Sequence, residues 1–116
     1  GIFKRSMEIF RMSIITLDDL SIKHHFGDNE YIKETKIDAG VELEQHKHNH
    51  SHLSVLLSGT AIVTVEGLST QYTAPQILLV PANKTHKVAA VTDVVWLCVW
   101  GTDEKDVSKI DDGLIA

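Results

Sequence analysis

The sequence predicts a single all-β domain, a sandwich or barrel of short strands. Short runs rich in Val, Ile, Leu and Thr recur along the chain, and Gly, Pro, Asn and Asp stand between them. No internal repeat or low-complexity tract competes with this pattern. A length of 116 residues fits one domain with one core, and an apolar fraction of 43% is enough to form it.

Taken in order, Glu8 to Ile15 has apolar residues at uneven spacing and reads equally as a short strand or a helical turn. Leu17 to Leu20 reads as a turn. Phe26 to Asn29 is a second, with Gly27 and Asn29 available for left-handed backbone. Tyr31 to Ile37 alternates Tyr31, Lys33, Thr35 and Ile37 against Ile32, Glu34 and Lys36, the pattern of a half-buried strand. Asp38-Ala39-Gly40 turns the chain. Val41 to His48 follows as a strand and Asn49 to Ser51 as a turn. Leu53 to Leu57 is nearly all apolar, and Ser58-Gly59 breaks it before Thr60 to Val65, a β-branched run closed by Glu66-Gly67. These two runs read as a hairpin. Ser69 to Thr73 is a weaker strand, Ile77 to Val80 a buried one ended by Pro81, and Lys87 to Val91 another. Val94 to Trp100 is apolar on both faces and requires cover on both sides. After Gly101 the acidic, polar tail either frays or caps the sheet as a short helix.

The formal net charge of -5, with arginine only at Arg5 and Arg11, argues against a nucleic-acid partner, which needs clustered basic residues. No apolar run approaches the ~20 residues that span a bilayer. Gly1 to Leu17 mixes charges with short apolar patches, unlike a signal peptide. Cys98, the single cysteine, has no internal disulfide partner. The expectation is a soluble, cytoplasmic protein with no membrane partner.

Function is concentrated in the histidines. His46, His48, His50 and His52 occupy alternate positions, and alternate side chains of an extended strand share a face. His86 follows in Val80-Pro81-Ala82-Asn83-Lys84-Thr85-His86, a strand-and-turn segment able to return to the same place. Imidazoles from two segments can surround one ion where one segment alone cannot, so the residues read as a metal site.

These residues resemble the cupin family. Its first motif, G-x5-H-x-H-x3-E-x6-G, is met by Gly40, His46, His48 and Gly59, with His52 where the family usually has Glu. Its second, G-x5-P-x-G-x2-H-x3-N, is met by Pro81 and His86, while Pro75, Asn83 and Ala90 replace the two glycines and the terminal Asn. Asn tolerates left-handed backbone best after Gly, so Asn83 suits that turn. The resemblance implies a small β-barrel jelly roll, one mononuclear metal site and frequent dimers. In those terms residues 1–38 are strands and an arm packing on the barrel, 39–101 the barrel core and 102–116 a polar tail. The implied ligands are His46, His48 and His86, with His52 at the position of the carboxylate. His52 as a proton shuttle beside the ion is the alternative, and His50 is expected at the surface, as are His24 and His25. An all-imidazole set suits one divalent Fe, Ni, Zn or Cu ion per chain better than Mg or Ca.

Glu42 and Glu44 share parity with His46, which makes Glu44 a candidate base or acceptor for an imidazole N–H, against the alternative of a solvated strand face. Ser54, Leu56, Trp96, Cys98 and Trp100 are candidate pocket residues, with plain core packing as the alternative. The barrel segment has no arginine, and only Lys47, Lys84 and Lys87 lie near the histidines in sequence. That points to a neutral or weakly charged substrate bound directly to the metal, with a single carboxylate or enolate ligated by the metal itself as the alternative. Three functions follow: a small metalloenzyme of the Fe(II)-dioxygenase type, or an isomerase or lyase on the same ligands; a metal-dependent small-molecule sensor; or a structural protein stapled by the ion. The doubly apolar Val94 to Trp100 run, together with family habit, points to a homodimer.

Overall fold

The structure, a computed structural model, describes residues 21–45 and 50–110. Its strands are β1 (Ser21–Phe26), β2 (Glu30–Ile37), β3 (Glu42–Gln45), β4 (His52–Ser58), β5 (Thr60–Val65), β6 (Leu68–Thr73), β7 (Gln76–Val80), β8 (His86–Ala90) and β9 (Val94–Gly101), followed by a 3-10 turn at Val107–Lys109. They form two antiparallel sheets, one in the order β1-β2-β9-β4-β7 and the other β3-β8-β5-β6. The pairs β2 with β9, β3 with β8, β4 with β7 and β5 with β6 nest inside one another. The chain is thus one long antiparallel hairpin folded over, and from β2 onward its consecutive strands alternate between sheets except at the β5–β6 tip. That nesting is a jelly roll, the all-β barrel that the sequence implied.

The tip of this hairpin is Glu66-Gly67, which links Val65 to its partner Leu68. Both tip residues have positive φ, 48° and 84°. Such a two-residue turn matches the right-handed twist of its strands and so fixes their register. The hairpin expected across Ser58-Gly59 does not form. β4 bonds β7 and β9, whereas β5 bonds β6 and β8, in the other sheet. Ser58-Gly59 is a corner between sheets, and a turn signal alone does not distinguish a corner from a hairpin. Gly59 has φ 90°, and a Cβ there would lie 2.1 Å from the Asp93 carbonyl oxygen.

Each sheet turns one face inward. On β9, Val94, Trp96, Cys98 and Trp100 are buried while Val95, Leu97 and Val99 are half-buried. On β2, Tyr31, Lys33, Thr35 and Ile37 form the buried face against the half-exposed or exposed Ile32, Glu34 and Lys36. Leu43, Leu56, Ala61, Val63, Val88 and Ala90 complete the core. Ile110, just past the 3-10 turn, also packs there, so the tail caps the barrel at least that far. β1 carries no alternation because it is an exposed edge strand, and sequence patterning passed over it. The expectations for Glu8 to Ile15 and Leu17 to Leu20 lie outside the described residues. Among the described residues no helix is long and apolar enough to cross a membrane.

Gly59→Ala is expected to cost about 2–3 kcal/mol in urea unfolding, because a positive φ and a collision with Asp93 coincide. Gly67→Ala, which has the same backbone sign but open space around its Cβ, is expected to cost about 1 kcal/mol.

Candidate functional site

Cross-strand register arranges the inner face of the five-stranded sheet in rows. Tyr31 pairs with Trp100, and the His52 ring lies 4.6 Å from the Trp100 ring. Lys33 pairs with Cys98, which pairs with Ser54. Thr35 pairs with Trp96, which pairs with Leu56. Ser54, Leu56, Trp96, Cys98 and Trp100 therefore share one interior wall, all of them buried.

His52 opens β4 and is 5% exposed. Its Nδ1 lies 3.2 Å from the Leu53 carbonyl oxygen and 3.4 Å from Ser54 Oγ. A carbonyl only accepts, so Nδ1 carries the proton and Nε2 holds the lone pair. The Ser54 hydroxyl in turn donates to Cys98 Sγ at 3.7 Å. His86 opens β8, where His86, Val88 and Ala90 face inward and Lys87 faces solvent; it is 1% exposed. The turn before it is held from the hairpin tip, since Glu66 Oε2 accepts from both Thr85 N–H and Thr85 Oγ1. Asn83 in that turn has φ 62°, the left-handed conformation its residue type tolerates.

The His52 and His86 ring centres are 6.3 Å apart. An imidazole centre sits roughly 3.2 Å from an ion its nitrogen ligates, so two rings on one ion lie at most roughly 6.4 Å apart. At 6.3 Å the pair meets this limit only with an ion almost in line between the two rings. Among the described residues no three of His, Cys, Asp and Glu converge on an ion position. His46 and His48 lie outside the described residues. Gln45, the last residue of β3, pairs with His86, so the chain leaves β3 beside that histidine.

Glu44 is exposed and pairs with Lys87, which is also exposed. Buried Leu43 shows that odd-numbered residues of β3 face inward. Glu44 therefore lies on the solvated face, the alternative weighed for it, and is removed from the interior chemistry. His50 is exposed beside a cavity of about 210 Å³ formed with Trp100, Thr102, Lys109 and Ile110. His24 and His25 are exposed on β1, where His25 Nε2 meets Glu34 Oε1 at 2.9 Å.

Sequence reasoning missed Lys33, which is 5% exposed on the inner face of β2. The signal was present, since its alternation with Tyr31 and Ile37 placed it on the apolar side. Burial pulls its pKa down, and the Cys98 sulfur opposite pulls it up. Burial first, then Cys98, pushes the Tyr31 phenol up to about 12, while its hydroxyl meets His24 Nδ1 at 2.6 Å. A second cavity, of about 380 Å³, opens between β5, β6 and β7, walled by Val63, Val65, Tyr72, Leu78 and Val80 with Lys84 at its rim. Val80 pairs with His52 and Val65 with His86, so the cavity is walled by cross-strand partners of the two histidines, while neither histidine lines it.

A family profile described as a cupin domain matches residues 33–100. Among solved structures, a conserved protein of unknown function from Streptococcus pyogenes is similar at 23% identity and a TM-score of 0.62, covering 78% of this chain and 81% of its own. A cupin superfamily protein from Desulfitobacterium hafniense is similar at 17% identity and 0.64, covering 88% and 94%. KdgF from a Halomonas species gives 17% and 0.64, covering 76% and 83%. At these identities the likeness is one of fold. No curated protein is significantly similar in sequence.

The Tyr31 phenol keeps its proton to about pH 12 in the folded chain and to about pH 10 in the unfolded one. Its contribution is therefore complete below pH 10 and is lost as pH rises from 10 towards 12. Urea unfolding across that range is expected to show falling stability, with a shallower fall in Tyr31→Phe.

Proposed function

The chain belongs to the cupin family, and from that premise we propose that it holds one divalent transition-metal ion in the barrel and acts as a small metalloenzyme. The reaction class we assign is that of an Fe(II)-type dioxygenase working on a small organic molecule. The observation that carries this reading is the pair of buried imidazoles, His52 and His86, projecting from opposite sheets with ring centres 6.3 Å apart. His46 and His48 complete the proposed ligand set. Chain connectivity supports them, because Cα atoms are about 3.8 Å apart along the chain and His46 directly follows Gln45, the partner of His86. Alternation along β3 sets a condition: for His46 and His48 to face the ion, the regular pattern must break just after Gln45.

An ion bound there supplies Lewis acidity and an open coordination position. The chain's own residues do the rest. The Leu53 carbonyl and Ser54 hydroxyl fix the His52 ring with Nε2 as the ligating nitrogen, an outer contact of the kind that orients metal ligands. Trp100 lies against the His52 ring and screens it from water on that side. The 380 Å³ cavity, walled by Val65 and Val80, the cross-strand partners of His86 and His52, offers space for a small molecule, which a purely structural staple does not need. A homodimer is part of this proposal. Leu53, Leu57, Ile77 and Leu79 stand exposed on the outer face of the five-stranded sheet, the two on β7 about two-thirds so, next to half-buried Val95, Leu97 and Val99. A second copy of that face would supply the outer cover that β9 lacks within one chain.

Elemental analysis of untagged protein is expected to find about one transition-metal ion per chain, falling below about a tenth of that in His86→Ala and His48→Ala. Unchanged metal content in both variants refutes the reading, and substrate-dependent oxygen consumption separates the oxygenase from isomerase, lyase or sensor. Light scattering after size exclusion is expected to give a dimer that the Ile77→Lys/Leu79→Lys double variant converts to monomer.

A further inference from the structure

The barrel has a seam where β6, the edge of the four-stranded sheet, runs into β7, the edge of the five-stranded one. The two strands follow one another in the chain but belong to different sheets, so no ladder joins them. Directly paired residues share a face of their sheet. Leu68, Thr70 and Tyr72, the partners of Val65, Val63 and Ala61, therefore lie on the inner face of β6. Ala61 and Val63 are buried, yet Leu68 is 79% exposed, Thr70 is exposed and Tyr72 is only half-buried. An inner-face leucine left in water marks a place that the opposite sheet does not cover. The cavity of about 380 Å³ opens there, between these three side chains and Leu78 and Val80 of β7.

We infer that this cleft seats an apolar group, an aromatic ring or a branched aliphatic chain, of the small molecule that the barrel receives. The inference deepens the reading of the barrel as a small-molecule site and rests on it. Val63, Val65, Leu68, Leu78 and Val80 supply aliphatic walls, and Tyr72 adds a ring against which another ring can pack. A group seated there takes Leu68 and Tyr72 out of water, which is the driving force for its entry. The volume falls in the range of small-molecule pockets, roughly 300–1,000 Å³. Two charges stand among the lining residues, Glu66 and Lys84, and they are of opposite sign. The cleft thus exerts no net pull on an anion or a cation, and the Glu66 carboxylate is already engaged by Thr85. The neutral or weakly charged substrate expected from the sequence fits that balance. Val65 and Val80 connect the cleft to the chemistry, because they share the inner faces of His86 and His52 as their direct partners. Paired side chains have Cβ atoms about 4.5–5.5 Å apart, so a group resting on these valines leaves the polar end of its molecule one strand spacing from the imidazoles.

The test titrates benzyl alcohol, with glycerol as the polar control, into the isotope-labelled full chain and follows backbone amide shifts by NMR. Samples are prepared with zinc, which is diamagnetic, and with chelator, and metal content is measured on each. Benzyl alcohol is expected to bind about tenfold or more tightly than glycerol, with its largest shifts at Val63, Leu68, Tyr72, Leu78 and Val80. Thr70→Trp, which sets a ring in the mouth of the cleft from an exposed position, is expected to weaken benzyl alcohol about tenfold. Leu68→Gln, at a side chain already in water, is expected to weaken it several-fold and carries the comparison if Thr70→Trp does not fold. Equal affinity for the two probes, shifts confined to the outer face around Leu53 and Ile77, or undiminished binding in either folded variant overturns the inference. A chain that takes up no zinc yet binds benzyl alcohol in the cleft refutes the metalloenzyme reading and leaves the apolar seat standing. A chain that holds zinc and ignores benzyl alcohol does the reverse.

Discussion

The central strand β9 is the constraint on which the rest of the molecule depends. It is laddered to β2 on one side and to β4 on the other, so three inward-facing rows are set by one strand's register. Because side chains alternate with a period of two, a slip of one residue would exchange Trp96, Cys98 and Trp100 for Val95, Leu97 and Val99 on the inner face. The interior would lose its large rings and its polar contacts together. Burial of Trp96 alone resists that slip strongly, since truncating a buried tryptophan typically costs about 3–5 kcal/mol.

The same register links packing to chemistry. His52 opens β4 beside Trp100, Ser54 sits beside Cys98, and Lys33 lies across from that cysteine. A polar line therefore runs over three adjacent strands inside an otherwise apolar barrel. The opposing sheet contributes His86, whose position is governed by the β5–β6 hairpin tip through Glu66 and Thr85. The two imidazoles thus depend on separate ladders, and the distance between them is a property of how the sheets pack.

Much of this was legible from residue order. The alternation of Tyr31 to Ile37 and the unbroken apolar run of Val94 to Trp100 marked two strands within a residue or so of their ends. Asn83, whose residue type suits left-handed backbone, adopts it with φ 62°. One reading failed because local signals do not carry partner identity: Ser58-Gly59 looks like a hairpin turn but is a sheet-to-sheet corner. Glu44 faces solvent, the commoner of the two outcomes its strand parity allowed. β1 was missed since an exposed edge strand has no buried face to imprint a pattern.

Residue order by itself determined the all-β class, the positions of most strands and the cupin motifs, because strand alternation and turn-forming residues are short-range properties of the chain. Only the tertiary structure decided which strands are neighbours, and hence that His52 and His86 approach from different sheets and that Lys33 is enclosed with Cys98 and Trp96. Alternation puts Lys33 on the apolar side of its own strand, but does not say which residues of neighbouring strands enclose it. That is settled when the second sheet closes over the first and the inward residues lose their water.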